Sequence, residues 1–275
     1  MNAAASSAPP KLETIRIEVD GEIATMTLDR PKVLNAMSPE LIGELVTAAA
    51  WLADRARVRA LIVTGAGRAF SAGGDVTWFK RGLEESGEYL SADVRRGAEV
   101  LHQAIIDFRR IPYPVIGAVN GVAAGAGFSL ALMCDLRIAS EDAALVCAYG
   151  RIGASPDGGM TYFLPRVVGP ARALELLLED PILSAEQARN EGLVTEVVPA
   201  DGLLDAARAR AEELAARAPH YVRMSKLLVS RSLENSLAEH LQLERHGIAD
   251  GMATEDLREG VTAFLEGRQA TFQGR

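Results

Sequence analysis

Two glycine-rich segments each follow a short apolar run and could hold negative charge with backbone N–H groups. The first is GAGRAFSAGGD (65–75), after ALIVT, and the second is NGVAAGAG (120–127), after PVIGAV. Small side chains let a ligand approach the main chain, and a turn that leads into a helix leaves N–H groups free at the positive end of the helix dipole. Two such turns facing one another would form an oxyanion hole, which stabilises charge developing on a carbonyl oxygen.

Each turn taken alone is compatible with other roles. Gly65-Ala66-Gly67 after a strand is similar to the start of a dinucleotide-binding fingerprint, but Phe70 stands where the third glycine is needed. The second turn could serve only to let a helix pack closely against a strand. The interpretation as an oxyanion hole therefore depends on both turns together.

The carboxylate of Asp157, in the sequence SPDGG, could act as a base beside such a hole. One carboxylate suffices to take a proton from one carbon of a conjugated system and return it to another. Pro-Asp-Gly-Gly is also an ordinary turn in which the aspartate caps the backbone locally. The local sequence leaves both roles open.

The composition argues against several kinds of partner and cofactor. A net charge of −8 with no basic run disfavours nucleic acid, and no apolar run is long enough to span a membrane. The 2 cysteines lie in apolar stretches and predict buried, reduced thiols, while the 4 histidines are scattered and predict no metal site. Residues 1–10 lack the features of a secretory signal, so we expect a cytoplasmic protein.

Alternating strands and helices must position the two turns. A hairpin is predicted around Asp20-Gly21, and a helix begins after Ser38, which has the features of an N-cap. Strands with continuous apolar character indicate an α/β fold whose sheet is covered on both faces. We predict a disordered N-terminus at 1–12, an α/β core at 13–199 and a helical region at 200–275.

Five segments, taken in order, resemble the crotonase, or enoyl-CoA hydratase/isomerase, superfamily. This resemblance implies a crotonase-like spiral of ββα units with a C-terminal helical region that forms homotrimers, which can pair as hexamers. The matching segments are LDRPKVLNAM (28–37), ALIVTGAGRAFSAGGDV (60–76), PVIGAVNGVAAGAGFSLALMCDLRIAS (114–140), IGASPDGGMTYFLPRVVG (152–169) and EGVTAFLEGR (259–268).

The resemblance also implies an acyl-CoA thioester as ligand, with coenzyme A as part of the substrate and no separate cofactor. The N–H groups of Ala72 and Ala126 would hold the thioester oxygen, with Asp157 as the catalytic base. Asp75 is expected to cap the chain locally and contact the nucleotide end, and Phe264 to come from a neighbouring subunit. The full set of implied substrate-binding residues is Lys32, Ala36, Ala72, Gly73, Gly74, Asp75, Ala126, Tyr149 and Phe264.

The chain departs from the hydratases at two positions. Ser129 and Tyr149 stand where those enzymes carry glutamates, and neither can act as a carboxylate base. Family isomerases that lack the glutamates often carry an aspartate at the position of Asp157. We therefore expect isomerisation of an enoyl-CoA double bond. An acyl-CoA-binding protein without catalysis and a divergent hydratase remain alternatives, and Tyr149 either donates a hydrogen bond or fills the pocket.

Overall fold

The computed structural model describes residues 8–55, 57–85 and 90–275. Of the N-terminal segment 1–12 that the sequence predicts to be disordered, residues 1–7 lie outside the described residues. In the remainder, Leu12 packs against the core, and the carbonyl oxygen of Ala8 accepts a hydrogen bond from the indole of Trp51 at 3.1 Å.

The strands of the described residues form two sheets. The larger has the order β1-β2-β3-β5-β7-β10, in which only the β1–β2 pair is antiparallel. The smaller has the order β4-β6-β8-β9, with β9 antiparallel to β8. The strands are β1 (Ile15–Asp20), β2 (Ile23–Leu28), β3 (Ala60–Gly65), β4 (Ala69–Ser71), β5 (Val115–Val119), β6 (Val122–Ala124), β7 (Leu136–Ser140), β8 (Ala144–Val146), β9 (Leu183–Ser184) and β10 (Glu196–Val198).

Two helices begin where the sequence predicts capping residues. The Ser38 hydroxyl accepts the N–H of Leu41 at the start of α1, and Ser184 and Gln187 form a capping box on α7. The helices are α1 (Pro39–Ala53), α2 (Val76–Glu85), α3 (Leu90–Arg110), α4 (Ala126–Met133), α5 (Met160–Val168), α6 (Pro170–Glu179), α7 (Ala185–Asn190), α8 (Leu203–Ala215), α9 (Pro219–Arg231), α10 (Leu237–Met252) and α11 (Glu255–Glu266).

Three neighbouring strands of the larger sheet each run directly into a strand of the smaller one. β3 leads to β4, β5 to β6 and β7 to β8, and helices follow each pair. This arrangement is the predicted spiral of ββα units in an α/β fold. Because β3 and β5 are parallel neighbours, their carboxyl ends lie at the same edge of the sheet and bring the two glycine-rich turns together.

Helices cover both faces of the larger sheet. On one face, α1 and α3 pack against each other, and their apolar residues join the main core. On the other face, Leu203, Ala207 and Ala211 of α8 pack against Ile23 and Ile62. The region predicted to be helical, 200–275, forms α8 to α11, while the division at residue 199/200 stays a prediction. Within the described residues, no helix is long and apolar enough to cross a bilayer.

Candidate active site

The two glycine-rich turns lie against one another. Gly73 has a φ of +85°, and a Cβ there would lie 2.6 Å from the carbonyl oxygen of Ala124 and 3.3 Å from the nitrogen of Ala126. Gly125 has a φ of +51°, and a Cβ on it would approach the Cα of Gly73 to 4.0 Å. At Gly73 both the positive φ and the close backbone contact require glycine, whereas at Gly125 the positive φ alone favours it.

The free N–H group of the first turn belongs to Gly74 and not to Ala72. The Ala72 N–H donates to the carbonyl oxygen of Leu34 at 2.9 Å, and the Gly73 N–H donates to the Ser71 hydroxyl at 3.2 Å. The Gly74 N–H has no hydrogen-bond partner in the described part of the chain. The prediction that the Ala72 N–H is free to hold a substrate oxygen is therefore wrong, because the preceding loop already occupies it.

A short bridge to Met37 fixes the direction of the Gly74 peptide. The Met37 N–H donates to the Gly73 carbonyl at 2.7 Å, and the Asp75 N–H donates to the Met37 carbonyl at 3.3 Å. In such a parallel bridge the residue between the two bonded ones, here Gly74, points its own N–H to the side opposite the partner strand. The N–H of Gly74 is thus directed away from Met37 and left available to a ligand.

Ala126 supplies the free N–H of the second turn. It is the first residue of α4, and its N–H has no partner among the residues described here. The first N–H groups of a helix lack intrahelical acceptors and carry the positive end of the dipole. Since every residue of α4 is buried, this donor acts with little competition from water.

The loop before α1 holds the first turn in place through contacts of Arg30. Arg30 donates to the Ala36 carbonyl and, at 3.2 Å, to Oδ2 of Asp75. The other carboxylate oxygen of Asp75 accepts the N–H groups of Thr77 and Trp78 at 3.1 and 3.2 Å. The predicted local capping role of Asp75 is confirmed.

Asp157 lies in a hydrogen-bonded cluster with the two residues that stand at the glutamate positions. The Tyr149 hydroxyl is 2.9 Å from Oδ1 of Asp157 and 3.0 Å from the Ser129 hydroxyl. The Ser129 hydroxyl also donates to the Asp157 carbonyl at 3.0 Å. Tyr149 therefore donates a hydrogen bond to the carboxylate, which answers the question that the sequence left open.

The cluster adjoins the second turn. A Cβ on Gly125 would lie 3.9 Å from Cζ of Tyr149, and a Cβ on Gly158 would lie 3.0 Å from Cβ of Ser129. Burial, followed by the negative charge of Asp157, raises the pKa of Tyr149 above its ordinary value. The phenol consequently stays protonated and remains a donor to the carboxylate at neutral pH.

Two predicted substrate-binding residues lie apart from this cluster. Lys32 is exposed on a short 3₁₀ turn, Pro31–Val33. Phe264 on α11 is 85% exposed and lines a cavity of about 1140 Å³ among the C-terminal helices. The lining of that cavity includes neither glycine-rich turn, so a single chain does not bring Phe264 to the turns there.

Sequence reasoning missed three residues that shape the site. Arg30 holds the first turn, and buried Asn35 donates to the carbonyls of Ala66 and Ala69 at 2.9 and 2.8 Å. His102 accepts the N–H of Gly158 at 3.2 Å. The matched segment LDRPKVLNAM contains the first two, but nothing adjacent to His102 in the sequence points to this contact.

The described residues contain no group of three or more histidine, cysteine, aspartate or glutamate side chains arranged to hold a metal ion. The two cysteines, Cys134 and Cys147, are buried and free, as predicted. Burial raises the pKa of the Cys134 thiol to about 12 and that of the Cys147 thiol to about 11.

Comparison with known proteins agrees with the fold. A family model described as enoyl-CoA hydratase/isomerase matches residues 18–275. A probable enoyl-CoA hydratase of Rhodobacter capsulatus is 42% identical over 95% of this chain and 98% of its own. A 1,2-epoxyphenylacetyl-CoA isomerase of Escherichia coli is 37% identical over 96% of this chain and 100% of its own. The crystal structure of an enoyl-CoA hydratase from Bacillus anthracis has a TM-score of 0.88 and 33% identity, covering 96% of this chain and 100% of that one.

The chain belongs to the enoyl-CoA hydratase/isomerase family. Its relatives carry names of both hydratases and isomerases, so family membership alone does not choose between the two reactions.

Proposed function

We propose that this protein isomerises the double bond of an enoyl-CoA thioester, with Asp157 as the single proton carrier. The observation that carries the proposal is the 2.9 Å hydrogen bond from Tyr149 to the Asp157 carboxylate, beside the turn that bears Ala126. Ser129 and Tyr149 bind Asp157 at the two positions where hydratases of the family carry glutamates. One carboxylate thus stands in place of two.

In this reaction Asp157 takes a proton from C2 of a 3-enoyl thioester. The electrons of the C–H bond form the dienolate, whose negative oxygen is held by the N–H groups of Gly74 and Ala126. Asp157 then returns the proton to C4, which leaves the double bond between C2 and C3 and restores the carboxylate. Two preorganised donors directed at a developing oxyanion commonly contribute about 10²- to 10³-fold each to kcat.

Hydration is the second candidate, because relatives such as the Rhodobacter capsulatus protein are named as hydratases. The water would then be held by the Ser129 and Tyr149 hydroxyls, which lie 3.0 Å apart, with Asp157 as its base. An acyl-CoA-binding protein without turnover is the third. All three functions use the same paired turns.

Product analysis in ¹⁸O-labelled water distinguishes the candidates. A panel of 3-enoyl-CoA and 2-enoyl-CoA thioesters is incubated with the enzyme, and the products are identified by mass spectrometry. Isomerisation gives a conjugated product of unchanged mass without ¹⁸O. Incorporation of ¹⁸O into a 3-hydroxyacyl-CoA would identify a hydratase, and tight binding without any product would identify a binding protein.

We also propose that the protein acts as a homotrimer, alone or paired as a hexamer, in which Phe264 of one chain reaches the coenzyme A pocket of the next. The 85% exposure of Phe264 and the 79% exposure of neighbouring Leu265 support this proposal. Sedimentation velocity tests it, since a stable monomer that turns over acyl-CoA would contradict it.

A further inference from the structure

The peptide unit between Asp157 and Gly158 is held at both of its ends. Its carbonyl oxygen accepts hydrogen bonds from Ser129 at 3.0 Å and from the Met160 N–H at 3.0 Å, and it lies 3.1 Å from the Tyr149 hydroxyl. Its N–H donates to Nε2 of His102 at 3.2 Å. The plane of this peptide sets the direction in which the Asp157 side chain leaves the backbone.

The backbone at this point needs outside support. Gly158 and Gly159 have φ values of +60° and +80°, so two successive residues lie in the left-handed region. Glycine adopts other conformations with equal ease, and local sequence therefore does not fix the loop. Gly158 is buried against Ser129 and Ile105, and its N–H is directed at the exposed His102 imidazole, which is its acceptor.

We propose that His102 is a positioning residue for Asp157, acting through the Gly158 N–H; this inference rests on the proposed function of Asp157. His102 lies on α3, a helix that is separate in sequence from the Asp157 loop and packs over it through Ile105. The imidazole accepts through Nε2, so the proton of the uncharged ring is on Nδ1. A carboxylate at this position could also accept the N–H, but its negative charge would disfavour the charged form of Asp157. The imidazole supplies an acceptor without that charge.

Removal of this acceptor affects turnover more than substrate binding. The paired turns that hold the thioester oxygen keep their geometry, while the Asp157 carboxylate loses one of the contacts that orient it. We expect His102→Leu to lower kcat roughly 10- to 100-fold, since small displacements of a reacting group have effects of that size, and to change KM less than about threefold. His102→Gln, whose amide oxygen can accept the same N–H, should recover most of the lost kcat.

The test combines kinetics of these variants with a double-mutant cycle on Asp157. The matched control is Gln103→Leu, the neighbouring polar residue of α3, whose amide bonds to partly buried Asp107. If His102 acts through Asp157, then His102→Leu has no further effect on the residual rate of Asp157→Asn. An unchanged kcat in His102→Leu, or an equal loss in both backgrounds, would overturn the proposal.

Amide hydrogen exchange separates this proposal from the function on which it rests. The Gly158 N–H should exchange at least tenfold faster in His102→Leu than in the parent or in Gln103→Leu, whatever reaction the enzyme catalyses. Unchanged exchange at Gly158 would contradict the contact with His102. Faster exchange in a protein that shows no isomerase activity would instead contradict the proposed function while retaining the role of His102 in holding the loop.

Discussion

The hydroxyl of Tyr149 lies 2.9 Å from the carboxylate of Asp157 and 3.1 Å from its backbone carbonyl oxygen. The single hydroxyl therefore contacts both the side chain and the main chain of Asp157, and it donates its proton to the carboxylate. In the proposed mechanism, Tyr149 orients Asp157 from a position where hydratases of the family have a glutamate.

We predict that Tyr149→Phe lowers kcat about 10- to 100-fold. A hydrogen bond to a charged group is worth about 1.5–3 kcal/mol, and Asp157 loses that contact. Steady-state kinetics with a 3-enoyl-CoA substrate measures the effect. Tyr162→Phe is the control, because its hydroxyl bonds to exposed Glu234. Equal rates for Tyr149→Phe and the parent would show that the contact has no role in turnover.

The pH dependence of the same contact can be predicted from the raised pKa of Tyr149. Because the folded protein favours the protonated phenol, the donor is retained as pH rises through the ordinary tyrosine value near 10. We therefore expect the ratio of kcat between the parent and Tyr149→Phe to stay constant from pH 7 to about pH 9.5. A ratio that falls toward one over this range would mean that Tyr149 ionises early.

Gly73 is predicted to be essential for the contact between the two turns. In Gly73→Ala the new Cβ meets the Ala124 carbonyl oxygen at 2.6 Å, which must displace one turn from the other. Gly153→Ala is a matched control, since its φ of +68° gives similar strain but no heavy atom lies within 4 Å of the new Cβ.

Both glycine variants should lose about 1–2 kcal/mol of unfolding free energy from the positive φ. Only Gly73→Ala should weaken acyl-CoA binding, by at least tenfold, as measured by calorimetry. Equal affinities for the two variants would show that the turns do not depend on this close approach.

Asp75 is predicted to act as a cap and not as a proton carrier. Asp75→Asn keeps an oxygen for the N–H groups of Thr77 and Trp78, whereas Asp75→Ala removes it and should cost about 1 kcal/mol of unfolding free energy. Urea denaturation measures this difference. Turnover by Asp75→Asn should stay within about threefold of the parent, and its abolition would indicate a direct role in proton transfer.

The buried thiols are predicted to be unreactive in the native protein. With pKa values raised to about 12 and 11, Cys134 and Cys147 are almost entirely protonated at pH 8. A thiol reagent at pH 8 should label neither residue until denaturant unfolds the chain. The same shifts reduce stability as pH rises above about 9, because the unfolded thiols release their protons first.

Much of the fold follows from local patterns in the sequence. The hairpin at Asp20-Gly21 and the helix capped by Ser38 occur as predicted, because turn and cap preferences act over a few residues. The alternation of apolar strands and helices likewise predicts the α/β class, while the spiral of ββα units is predicted only from the resemblance to a family. The division of the strands between two sheets is not predicted from the sequence.

The sequence predicts which turns form the site, but not which atoms in those turns are free to bind a ligand. Which N–H of the first turn is free depends on Leu34, whose carbonyl occupies the Ala72 N–H from a different segment. The convergence of Ser129, Tyr149 and Asp157 likewise depends on how α4 and the loop before α5 pack. His102 contacts Gly158 across 56 residues, and no local pattern encodes such a contact.

The most direct test of the proposed mechanism compares the isomerase activity of Asp157→Asn with that of Asp142→Asn. The asparagine keeps the shape of the side chain and can still accept from Tyr149, but it cannot carry a proton between two carbons. Asp142 is exposed, and its substitution controls for the loss of one charge. We predict at least a 10³-fold loss of kcat for Asp157→Asn, with acyl-CoA binding retained and Asp142→Asn fully active. An Asp157→Asn enzyme as active as the parent would contradict the single-carboxylate mechanism.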